Sequence, residues 1–111
     1  MTWTDQLTAQ SENYSFILAT LTPDDGLCLR AIYYTLNNHA TACNSSLVNY
    51  VLQGICVNLQ EQINDANNPI KLHNLATLKA LNLILTNENI HIGLSLLGYE
   101  FLEMIKQSSP I

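Results

Sequence analysis

The 111-residue chain fits a single domain with its own hydrophobic core. Apolar residues make up 48% of it and charged residues only 12%, about half the usual charged share, so thirteen Asn and six Gln supply much of the polarity. Nine acidic residues face four scattered basic ones (Arg30, Lys71, Lys79 and Lys106), for a net charge of −5. No cationic cluster can release counterions from a phosphate backbone or hold an anionic bilayer, which excludes nucleic-acid and membrane-surface partners.

Met1-Thr2-Trp3-Thr4-Asp5 lacks a basic n-region, and no apolar h-region follows, so no signal peptide is expected. The uncharged run from Ala31 to Gln60 is interrupted by Asn37, Asn38, His39, Asn44 and Asn49, and so is not a membrane span. Cys28, Cys43 and Cys56 are odd in number and not closely paired. With no export signal they read as reduced thiols of a cytoplasmic protein.

Taken in chain order, the elements read as helices. The first is expected from about Asp5 to Leu21, capped by Thr4, with Trp3, Leu7, Tyr14, Ile17, Leu18 and Leu21 on one side and Gln10 and Ser11 weakening its middle. Thr22-Pro23-Asp24-Asp25 is a strong second start. Thr22 serves as N-cap, Pro23 at N1 needs no donor, and the two aspartates favour the positive end of the dipole. That helix carries Leu27, Cys28, Ala31, Ile32, Tyr34 and Leu36 to about Asn38.

Asn44-Ser45-Ser46 opens a third helix, expected to reach Asp65. Leu47, Val48, Val51, Leu52, Ile55, Cys56, Leu59 and Ile63 cover about half of its surface. Asn68 and Pro69 open a fourth, whose Leu72, Leu75, Leu78, Leu81, Leu83, Ile84 and Leu85 point in nearly every direction, as in a sandwiched helix. Thr86-Asn87-Glu88-Asn89 opens a fifth, with Ile90, Leu94, Leu97, Phe101, Met104 and Ile105 on one stripe and Ile92, Leu96 and Tyr99 on the opposite one. Residues 1–3 and 107–111 are expected to fray. With short connections throughout and no alternating strand pattern read, the expected fold is all-α: one compact bundle of four to five antiparallel helices over residues 1–111.

No Gly-rich phosphate loop, Gly-x-Ser-x-Gly or His-Glu-x-x-His occurs, and with one arginine the chain is poor in phosphate ligands. His39 and Cys43 are spaced as half of a zinc site, but the other half is missing. Cys28 lies near a helix start, yet Asp24 and Asp25 oppose thiolate formation. Glu100 and Glu103 share a face with Lys106, an arrangement common on solvated helices. No catalytic residue, metal or cofactor is assigned, and the chain is read as a non-enzyme.

The surplus of apolar stripes points instead to a small acidic interaction module (inhibitor, immunity-type protein, adaptor or assembly chaperone) that binds another protein, basic in character, or a second copy of itself. Its candidate interface residues are Tyr50, Val57, Asn58, Ile92, Leu96 and Tyr99, with Tyr33 and Tyr34 as weaker support and Asn58 either a buried register-fixing amide or bonded to a neighbouring backbone. The alternatives are a Leu-rich pocket holding a hydrophobic molecule or tetrapyrrole oriented by His39, His73 or His91, and a small enzyme.

Overall fold

The computed structural model describes residues 15–88 and 90–108, the last three as backbone only. Among them, six helices accompany a three-stranded antiparallel sheet, so the fold is mixed and not the expected all-α bundle.

Residues 15–20 are helical (α1), as expected for the end of the first helix. Thr4, Trp3, Leu7, Tyr14 and the other expected residues before Ser15 lie outside the described residues. The second helix, α2 (Pro23–Ala42), starts where the Thr-Pro signal places it, through a reciprocal capping box. The Asp25 amide donates to Thr22 Oγ1 and the Thr22 amide donates to Asp25 Oδ2, each at 3.2 Å. It runs four residues beyond the expected end at Asn38 and buries Asp25, Cys28, Leu29, Ile32, Leu36 and Ala40 on one stripe, against which α3, α5 and the sheet pack.

The expected third helix is cut short. Ser46 caps α3 (Leu47–Gln53) by accepting from the Asn49 amide, and Gly54 ends it at φ +67°. That left-handed conformation costs glycine little and turns the chain out of the helix. The rest of the stretch becomes strand β1 (Val57–Asn58) and a single turn, α4 (Gln60–Asn64).

The expected fourth helix is shortened at both ends. Asn68 Oδ1 accepts from the Ile70 amide in a local turn instead of capping, and α5 runs only over Leu72–Ala80. After Leu81, Asn82 takes φ +61° and the chain enters strand β2 (Ile84–Asn87). Glu88 at φ +58° begins a tight hairpin into β3 (His91–Leu94), where the expected fifth helix has its first turns. Only α6 (Leu96–Ser108) remains of that helix.

The sheet order is β1-β3-β2, with Ile84 opposite Leu94, Thr86 opposite Ile92, and Val57 opposite Ile92 on the other side. Val57, Ile84, Ile92 and Leu94 are buried against the core, whereas Asn58, Leu85 and Asn87 on the other face are exposed. This two-residue alternation is the physical reason that the all-α reading fails. Ile84 and Leu85 face opposite sides because they are consecutive residues of a strand, with Leu83 leading into it, and Ile92 points inward two residues from Leu94 as the alternate residue of β3, not as part of a second helical stripe.

Two close approaches lock the sheet to its neighbours. A Cβ on Gly93 would lie 2.6 Å from the Ile55 carbonyl oxygen, and one on Gly98 would sit on the Leu83 carbonyl. Ser95 joins the same junction. Its hydroxyl donates to the Asn82 carbonyl at 2.6 Å and accepts from the Gly98 amide at 3.0 Å, which caps α6. Among the described residues no helix is long and apolar enough to cross a membrane.

Candidate partner-binding surface

Residues of α2 and α6 contribute to two features, a cleft and a tyrosine cluster. The first is an apolar cleft of about 230 Å³ between α1, the start of α2 and α6. Leu29 and Phe101, both fully buried, line its depth. Leu18, Leu21, Leu102 and Ile105 form its walls, and Pro23, Gly26 and Arg30 complete the rim. Gly26 faces open space, since nothing lies within 4 Å of a Cβ built there. The cleft exists partly because a glycine stands at this position of α2.

The second feature lies one helical turn further along α2. Tyr33 and Tyr99 stack across the two helices with ring centroids 6.5 Å apart and planes within 13°, and Tyr34 meets Tyr33 edge-on at 5.5 Å. The Tyr33 hydroxyl donates a 2.7 Å hydrogen bond to Glu103 Oε1. Burial pushes the Tyr33 pKa up, the Glu103 bond and charge push it further, and it reaches about 12. Tyr34 is 62% exposed and presents its ring to solvent.

The residues singled out from sequence fall in several places. Tyr99 belongs to the aromatic stack. Leu96, 47% exposed, opens α6 beside Ser95. Tyr50 is half-buried on α3. Val57 and Ile92 are paired in the sheet and buried, so neither offers surface in this conformation. Asn58 is exposed, and its Oδ1 accepts from the Gln60 amide at 2.9 Å, so it shapes the start of α4 rather than a buried register.

His39 and Cys43 are exposed at the end of α2, His73 is exposed on α5 and His91 half-buried on β3. Among the described residues no three His, Cys, Asp or Glu side chains converge as a metal would need. Cys28 is fully buried, and burial pushes its thiol up to about 11, which leaves little thiolate near neutrality. Glu103 anchors Tyr33, and Glu100 is half-buried on the same helix.

Sequence reasoning missed the cleft. No family model, no curated protein and no solved structure matches the chain.

Proposed function

We propose that this domain is a non-catalytic, cytoplasmic interaction module that works by binding another protein, with the cleft between α1, α2 and α6 taking an apolar anchor side chain of the partner. The observation that carries the reading is the cleft itself: about 230 Å³, walled by leucine, isoleucine and phenylalanine, with Arg30 on its rim three residues before Tyr33 of the tyrosine cluster. Binding energy at protein interfaces concentrates where an anchor fills such a pocket, with tyrosine enriched around it. The volume suits one aromatic or branched aliphatic side chain. It is smaller than the roughly 300–1,000 Å³ usual for whole cofactor-sized ligands, which favours a protein partner over a tetrapyrrole.

Gly26→Phe tests the proposal, because it fills the cleft from a position where the added side chain meets no neighbour at its Cβ. The tagged wild-type domain should capture a specific partner from source-cell lysate, or a differently tagged second copy, and the folded G26F variant should lose it. Capture of the same proteins by both forms would overturn the assignment.

A further inference from the structure

We infer that the tyrosine cluster beside the cleft is a seat for an arginine side chain of the protein partner. This rests on the partner-binding reading and deepens it by naming the chemistry of the second contact.

Three observations converge. Tyr33 and Tyr99 are held nearly parallel across two helices, and Tyr34 stands at 87° to Tyr33 with its ring exposed. Aromatic faces attract cations through their quadrupole, and a planar guanidinium also stacks on them. Glu103 lies within the cluster, fixed there by the Tyr33 hydroxyl through Oε1. A carboxylate offers about four lone-pair positions, so one hydroxyl bond leaves it able to accept from a guanidinium fork. The charge of the chain is complementary to such a partner, at −5 with a single arginine of its own.

The positioning is also prepared in advance. The Tyr33–Glu103 bond holds both side chains before any ligand arrives, which lowers the ordering cost of binding. Burial and the Glu103 carboxylate keep Tyr33 protonated up to about pH 12, so it remains a hydroxyl donor across the physiological range. Cleft and seat are adjacent along α2, with Arg30 on the cleft rim and Tyr33 three residues later. The partner should therefore carry an apolar anchor and an arginine on the same face.

The test is a ¹⁵N-detected titration of the full chain with three capped amides: acetyl-arginine, acetyl-lysine and acetyl-norleucine. Arginine amide should shift the backbone signals of Tyr33, Tyr34, Tyr99 and Glu103 and saturate in the millimolar range. Lysine should bind more weakly, and norleucine should leave those signals in place. Glu103→Gln, checked for retained spectral dispersion, should weaken the arginine effect by about tenfold, and Tyr34→Ala should weaken it independently. No shift at the cluster, equal shifts from lysine or norleucine, or an unchanged arginine affinity in E103Q would overturn the seat. If only the seat is wrong, G26F still abolishes partner capture. If G26F captures normally, the partner-binding reading falls and takes the occupant of the seat with it.

Discussion

The Asn74 amide donates a 2.7 Å hydrogen bond to Asp25 Oδ1, and both side chains are buried, joining the first turn of α2 to the first turn of α5. Burial alone would raise the Asp25 pKa. The bonds from Asn74 and Thr22 outweigh it, with His73 contributing, and hold the carboxyl below its usual value of 3.8. Asn74→Ala leaves a buried carboxylate oxygen without its donor and should cost about 2–3 kcal/mol in urea unfolding. A folded-state pKa that is depressed contributes stability above pH 3.8 that is lost as pH falls through the folded value. The wild-type midpoint should therefore drop below that pH, and Asp25→Asn should flatten this part of the profile.

Glu88 offers a change whose sign separates the hairpin from the helix expected of its sequence. At φ +58° a non-glycine residue is strained, and Glu88→Gly should raise stability by about 0.5–1 kcal/mol. In the interior of a continuous helix the same change would lower it by about 1 kcal/mol. Chemical denaturation of the two proteins decides between them.

The glycines of α2 and α6 should respond in opposite directions. Gly26→Ala meets open space within a helix and should stabilise by about 0.5–1 kcal/mol. Gly98→Ala drives a methyl into the Leu83 backbone carbonyl and should destabilise by about 3 kcal/mol. Thermal melts of both variants check the pair.

How far the sequence discloses this fold depends on whether each signal is local. Thr22-Pro23-Asp24-Asp25 and Ser46 carry their own hydrogen-bond partners within three residues, and both start helices as read. Leu83-Ile84-Leu85 is an apolar run that fits a buried helix or a strand. The deciding features were the left-handed Asn82 and Glu88, together with the antiparallel pairing of Ile84 with Leu94 and of Thr86 with Ile92. Asn74 carried no local sign of Asp25, 49 positions earlier, nor did Glu103 of Tyr33. Tyr99 was singled out for interface chemistry and does lie on the candidate surface, but the cleft beside it depends on how three helices meet, which no single stretch encodes.

Tyr33 should ionise well above the usual tyrosine range. Its pKa, pushed up to about 12 in the folded state, contributes stability that is present below pH 10 and lost as pH rises toward 12. Spectrophotometric titration should show a phenol that ionises late, and E103Q should move that step down by removing the accepting charge. A late step that E103Q leaves unchanged, or no late step at all, would contradict the Tyr33–Glu103 geometry.

The claim that the cleft receives a partner is tested most directly by site-specific photocrosslinking. A benzophenone side chain placed at Leu18, on the cleft wall and 59% exposed, is compared with one at Leu72, equally open on α5 at 60% and outside the cleft. The account predicts one discrete crosslinked product from position 18, absent from position 72, and lost when Gly26→Phe is added. Products of equal yield from both positions, or a position-18 product that survives G26F, would contradict it.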